Sequence, residues 1–245
     1  MKVDTEVLAV LSRAAVEGSA LTLVGQLDRK LYERTNKVLE AAGGKWNRKA
    51  KAHVFDGDAS ERIEQIILTG DIIIPKDEFE FFPTPPAVVR RVHDLADIYP
   101  NQRVLEPSAG HGALVADLKC LVFVDCIEKM PANAKYLRDL GWLDSVIEAD
   151  FLAVEPTKAY DRVLMNPPFG RQADIKHVLH ALKFLKPGGL LVSVMSASVC
   201  FRENKLTADF RNFVAERGGK IEELPEGSFK ESGTMVRSVV VVIPN

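Results

Sequence analysis

From Phe81 onward, apolar runs alternate with segments of helical periodicity. "RVLEPSAGHGAL" reads as a strand, a glycine turn and the start of a helix. "VFVDCIEK" is a strand that ends in an acid, and a helix follows around Ala132 to Leu140. "DSVIEADF" holds a third short strand. "YDRVLMNPPF" holds a fourth, with a helix over Ala173 to Leu185 before the "KPGG" turn. "LLVSVM" is the fifth strand, followed by a helix near Leu206 to Glu216, and "KIEELP" and "RSVVVVIPN" are two more strands. Strands that alternate with helices predict a mostly parallel, doubly wound α/β sheet of seven strands. The last two strands are joined by the non-helical "EGSFKESGTM", which predicts a final antiparallel hairpin.

The pattern before Phe81 is different. Leu27, Leu31, Val38 and Leu39 recur at roughly helical spacing, and Gly43-Gly44 ends that helix as a C-cap would. "KWNRKAKAHVF" then reads as two short strands around a basic turn. Residues 1–78 are therefore expected to form a small basic α+β module, and residues 79–245 the larger sheet domain. No internal repeat or low-complexity tract is visible.

Charge sharpens the contrast between the two parts. The whole chain carries a formal net charge of -2, which argues against a general nucleic-acid coat. Between Leu27 and Phe55, however, Arg29, Lys30, Arg34, Lys37, Lys45, Arg48, Lys49 and Lys51 face only Asp28, Glu33 and Glu40. Trp46 and His53 interleave with these basic residues, so Lys45, Trp46, Arg48, Lys49 and Lys51 are candidate nucleic-acid contacts. A solvated helix face beside a charged turn is the alternative. Cys120, Cys126 and Cys200 are odd in number and lack CxxC spacing, so buried, reduced thiols are expected in place of disulfides or a zinc site. The chain has neither an apolar run long enough for a bilayer nor a basic-then-apolar leader, and a cytoplasmic location is the expectation.

In doubly wound sheets, ligands bind outside the carboxyl ends of the strands, near the topological switch point. The notable polar residues fall at such ends. Glu106, Gly110 and Gly112 follow the first strand, Glu128 ends the second, Asp150 follows the third and Asn166 ends the fourth. Gly110 and Gly112 would let a ligand approach the backbone closely. Glu128 lies eighteen residues beyond Gly110, near the spacing at which an acid reaches a ribose hydroxyl. Yet Val115 stands where the third glycine of GxGxxG would be, so the pyrophosphate-binding turn is not matched. After the fourth strand, Pro167 and Pro168 hold the backbone rigid and fix the directions of Asn166 and Phe169.

"EPSAGHGAL", "IEK", "ADF" and "NPPF", in this order and spacing, resemble the Rossmann-like class I S-adenosylmethionine-dependent methyltransferases. Among these the chain is similar to the amino-group methyltransferases that modify adenine N6 in DNA. Upstream, "FFPTPPAVVRRV" resembles the segment that closes over the methionine end of the cofactor in those enzymes. The resemblance covers about Phe81 to Asn245. It implies that Glu106, Ser108, Ala109 and Gly110 line the methionine and ribose of S-adenosylmethionine, with Thr84 near its amino-acid end. Glu128 would take the ribose hydroxyls, and Asp150 the cofactor's adenine amino group, with Phe151 against the ring. Asn166 and the carbonyl of Pro167 would accept hydrogen bonds from the target amino group, and Phe169 would stack on the target base. An exocyclic amine conjugated to a ring is a poor nucleophile. Two acceptors on its N–H bonds favour a pyramidal nitrogen whose lone pair can face the methyl group. Such chemistry needs no metal and no nucleophilic side chain.

A duplex adenine must be flipped out to reach such a site. Only about 75 residues follow "NPPF", and the remaining strands and helices consume them. Loose specificity or a single-stranded substrate is therefore expected, in an architecture that resembles methylases of phages and prophages. DNA stands ahead of RNA as the partner, and oligomeric state stays open. Similar NPP-aromatic sites serve methyltransferases of RNA bases and of a protein glutamine amide, and a catalytically silent binding module is the non-enzyme alternative.

Overall fold

In the computed structural model, which describes residues 2–55, 58–72 and 83–245, the chain divides into two compact units. One is Met1–Glu78 with Ala197–Asp209, the other Phe79–Ser196 with Phe210–Asn245. The expected boundary at residues 78 and 79, and the Phe81-Phe82 pair of "FFPTPP", lie outside the described residues. Sequence alone places Ala197–Asp209 in the larger domain, whereas the structure groups it with the first unit. The physical reason is local. Phe201, on the short helix Ser198–Phe201, packs against the first unit's core, and the buried Arg202 pairs with Glu64 at 2.7 Å.

The first unit begins with α1 (Thr5–Arg13), capped by Asp4, whose Oδ1 accepts from the Val7 N–H at 3.0 Å. Strands β1 (Ala15–Glu17) and β2 (Ala20–Thr22) form a hairpin. Helix α2 (Arg29–Ala41) starts at Asp28, which caps the Leu31 N–H, and buries Val38 and Leu39 as its periodicity predicts. Strands β3 (Lys45–Asn47) and β4 (Ala52–Val54) flank the basic turn, and α3 (Ala59–Thr69) follows. The antiparallel sheet runs β1-β2-β4-β3. Leu8, Leu11, Leu21, Leu39, Phe55 and Ile66 form its core.

The second unit opens with α4 (Pro86–Ala96), whose first residue is a proline, where no N–H is required. Then come β5 (Arg103–Pro107), β6 (Phe123–Glu128), α5 (Pro131–Asp139), β7 (Ser145–Glu148), β8 (Tyr160–Met165), α6 (Ala173–Ala181) and β9 (Leu185–Ser196). Helix α7 (Lys205–Glu216), of which only the part from Phe210 belongs to this unit, and strands β10 (Lys220–Glu223) and β11 (Ser238–Pro244) complete the order of elements. The seven strands lie in the order β10-β11-β9-β8-β5-β6-β7. The pairs among β5 to β9 are parallel, and β11 is antiparallel to both β9 and β10. The seven-stranded doubly wound sheet with its antiparallel terminal pair is thus the one the apolar pattern predicts. Strand β11 sits between β9 and β10. Strand order reverses at β5 and β8, and that switch point positions the candidate site.

The cysteines depart from expectation. None forms a disulfide, but only Cys126 is buried, on β6, while Cys120 and Cys200 are exposed. Cys120 occupies a left-handed turn residue with φ of 65°. Among the described residues, no helix is long and apolar enough to cross a membrane.

Candidate functional site

The carboxyl ends of β5, β6, β7 and β8 open on one cavity of about 570 Å³. Ten of the sequence-predicted residues line it: Thr84, Glu106, Ser108, Ala109, Glu128, Asp150, Phe151, Asn166, Pro167 and Phe169. Gly110 serves from behind, because its N–H donates to Glu128 Oε2 at 2.7 Å. Lys45, Trp46, Arg48, Lys49 and Lys51 lie on the β3–β4 hairpin of the first unit.

The turn after β5 is shaped by left-handed residues at Ser108, Gly110 and Gly112, with φ of 55°, 57° and 73°. A Cβ at Gly112 would lie 3.0 Å from Leu137 Cδ2, so glycine there lets the turn press against α5. Glu128 is buried and holds two backbone N–H groups, Gly110 on Oε2 and Met130 on Oε1, both at 2.7 Å. Each oxygen keeps a second lone pair. Glu106 Oε1 accepts from the Leu114 N–H at 3.3 Å, while Oε2 is buried with no hydrogen-bond partner. Burial, reinforced by the nearby Glu128 charge, pushes the Glu106 carboxyl up to about 8.

Asp150 caps the short turn Phe151–Ala153 by accepting from the Leu152 N–H at 3.1 Å. Its other oxygen meets Lys129 Nζ at 2.9 Å, and this ammonium holds the carboxyl below its ordinary range. Phe151 is buried among His177, His180 and Phe184, with ring centroids 5.9, 4.9 and 5.3 Å away. His177 Nδ1 meets the Ala173 carbonyl at 2.8 Å. A carbonyl only accepts, so that nitrogen carries the proton and Nε2 is left as an acceptor. Burial lowers the pKa of His177 and favours the neutral ring.

At the end of β8, Asn166 Nδ2 donates to Thr84 Oγ1 at 3.1 Å. The bond commits the amide nitrogen to Thr84 and leaves Oδ1 to act as an acceptor. Pro167 is buried, Pro168 is exposed, and Phe169 packs partly against the core. Arg171 and Gln172 then both adopt left-handed backbone, with φ of 54° and 57°, before α6 begins. Val236, from the β10–β11 connection, adds another wall, and Ser232 ties that connection down by donating to the Pro83 carbonyl at 2.6 Å.

Lys129, Met130, His177 and Val236 line the cavity without having been singled out from sequence. The first two directly follow Glu128, which is a usable signal. His177 and Val236 have none, because only the packing of α6 and the β10–β11 connection brings them in. Among the described residues, no group of three or more His, Cys, Asp or Glu is placed to hold a metal ion.

No protein-family profile matches the chain. It is 34% identical over 116 residues to the type II methyltransferase M.TthHB8I of Thermus thermophilus, an alignment covering 42% of this chain and 24% of that protein. The chain thus spans about a quarter of the curated relative it matches. Among solved structures, it superposes on a dimethyladenosine transferase from Plasmodium falciparum with a TM-score of 0.52 and 19% identity, over 67% of this chain and 64% of the other. It superposes on the 23S rRNA methyltransferase ErmE with a TM-score of 0.53 and 22% identity, over 67% of this chain and 70% of that one. The second unit has the fold of the class I S-adenosylmethionine-dependent methyltransferases.

Proposed function

We propose that the second unit is an S-adenosylmethionine-dependent methyltransferase that acts on an exocyclic amino group, adenine N6 in DNA. The observation that carries this reading is Asn166, which lines the cavity with its amide nitrogen committed to Thr84 Oγ1, so that Oδ1 is left to accept. The partial match to a type II methyltransferase supports it. The cavity also suits the donor. Glu106 Oε2 is a buried oxygen without a partner, and Glu128 and Asp150 stand at the next two strand ends. Glu128 would bind the ribose hydroxyls through its remaining lone pairs. Asp150 would take the adenine amino group beside Phe151, and Glu106, Ser108, Ala109 and Gly110 would border the methionine and ribose.

When bound, the donor supplies an electrophilic methyl group on a sulfonium sulfur. Asn166 Oδ1 and the Pro167 carbonyl accept the two N–H bonds of the target amine and keep its lone pair out of conjugation. Phe169 stacks on the target ring. With its lone pair freed by these two acceptors, the target nitrogen would be able to take the donor's methyl group and give up one N–H proton to solvent. Acceptors already in place lower the barrier because they need no reorganisation.

The test is methyl transfer from labelled S-adenosylmethionine to separate pools of DNA, RNA and protein. Label in DNA, lost in Asn166→Ala, is the expected result. Label confined to RNA or protein refutes the substrate, and no label in any pool refutes the activity.

A further inference from the structure

The β3–β4 hairpin carries a surface that methyl transfer does not use. Lys45 to Lys51 are all exposed, and the four-residue loop between the strands contains Arg48, Lys49 and Lys51. Asn47 Oδ1 shapes the loop by accepting from the Lys49 and Ala50 N–H groups at 2.9 and 3.1 Å, and Lys51 closes it in a left-handed conformation. Among the described residues, no ion pair engages Lys45, Arg48, Lys49 or Lys51. Beside these charges stands Trp46, 49% exposed on the edge strand of the sheet.

Trp46 has a specific floor. It pairs directly with His53 across the hairpin, so both side chains share one face. The ring centroids are 5.2 Å apart, at 59°. Both His53 ring nitrogens are buried without a hydrogen-bond partner. Burial lowers the pKa of His53, with nearby Glu40 opposing. The imidazole therefore acts as a neutral aromatic support that holds the indole outward.

We propose that this hairpin is a docking surface for single-stranded DNA, with Trp46 as a stacking platform and Lys45, Arg48, Lys49 and Lys51 as phosphate contacts. The choice of DNA rests on the substrate reading above. Charge complementarity selects a polyanion. The exposed indole selects an unpaired strand, because a base inside a duplex has both faces covered and cannot stack on a side chain. Base stacking on an aromatic side chain tolerates any sequence. His53 is a positioning residue: it touches no ligand and acts through Trp46.

Anisotropy of a labelled single-stranded oligodeoxynucleotide tests this on the full chain. A duplex and an RNA of the same sequence are titrated alongside at several salt concentrations. Single-stranded DNA should bind most tightly. Trp46→Ala should lose about tenfold in affinity at every salt concentration with its salt slope unchanged. The Arg48→Ala, Lys49→Ala double variant should lower the slope by about 1.4, at about 0.7 per phosphate contact on a single strand. Trp46→Tyr and His53→Phe should retain most of the affinity, which separates stacking from loss of fold. Undiminished binding by Trp46→Ala, or a preference for duplex or RNA, overturns the proposal. Titration of S-adenosylhomocysteine into the same samples keeps this outcome distinct from failure of the methyltransferase reading.

Discussion

Glu106→Gln should change how the second unit's stability depends on pH. In the folded protein the Glu106 carboxyl is raised from 4.5 to about 8, chiefly by burial. Between those values the native state keeps a proton that the unfolded chain has released. Raising the pH through this window therefore favours unfolding. Stability is fullest below about pH 4.5 and is lost progressively up to about pH 8. The slope approaches about 1.4 kcal/mol per pH unit, which amounts to about 2–3 kcal/mol between pH 5 and 7. For a unit of this size that corresponds to about 5–10 °C in Tm. Glutamine keeps the oxygen that accepts from the Leu114 N–H and cannot ionise. Its buried amide adds a constant offset with no pH dependence. Thermal unfolding of both proteins, followed by Trp142 fluorescence in a Trp46→Phe background, should give a Tm difference that grows in favour of the variant from pH 5 to 8. Other titrating groups are common to both proteins and cancel. A flat difference curve would refute the reasoning, since it means that Glu106 is ionised in the folded protein.

Three further outcomes follow from the cavity. Asn166→Ala should bind S-adenosylhomocysteine normally and lose about 10²–10³ in kcat, the usual consequence of removing one preorganised electrostatic partner; calorimetry and turnover measured together check the split. Thr84→Val should lower kcat with Asn166 still present, because the amide loses the acceptor that orients it, and Thr84→Ser should restore it. Glu128→Ala should weaken cofactor binding and also destabilise the apo protein by about 2 kcal/mol, because the Gly110 and Met130 N–H groups lose a charged acceptor; urea denaturation without ligand measures the second effect.

The sheet was legible because four of its strands, β5 to β8, are broken by an acid or a proline at the end where the cavity lies. The burial of each strand follows from its own composition, so no distant information is needed. The same holds for α2, where Leu31, Val38 and Leu39 repeat at helical spacing. Strands β1 and β2 were not legible, because three-residue strands carry too few positions to show a period, whereas the equally short β3 and β4 were marked by the basic turn between them. Within the site, the strand-end acids could be named one by one, but their engagement could not. Asn166 meets Thr84 across 82 positions of chain, and His177 reaches the cavity only through the packing of α6. Contacts of that kind depend on how elements dock, which local pattern does not encode.

The first unit is assembled from two stretches of chain separated by most of the second. During synthesis, Met1–Glu78 leaves the ribosome long before Phe201 and Arg202 exist to pack against it. Until then, Glu64 lacks its guanidinium partner and the core lacks one aromatic edge. This stretch therefore completes its core only on closure of a loop of more than a hundred residues. A ribosome that stalls between residues 79 and 196 would expose a segment with an unfinished core, an exposed tryptophan and a basic hairpin.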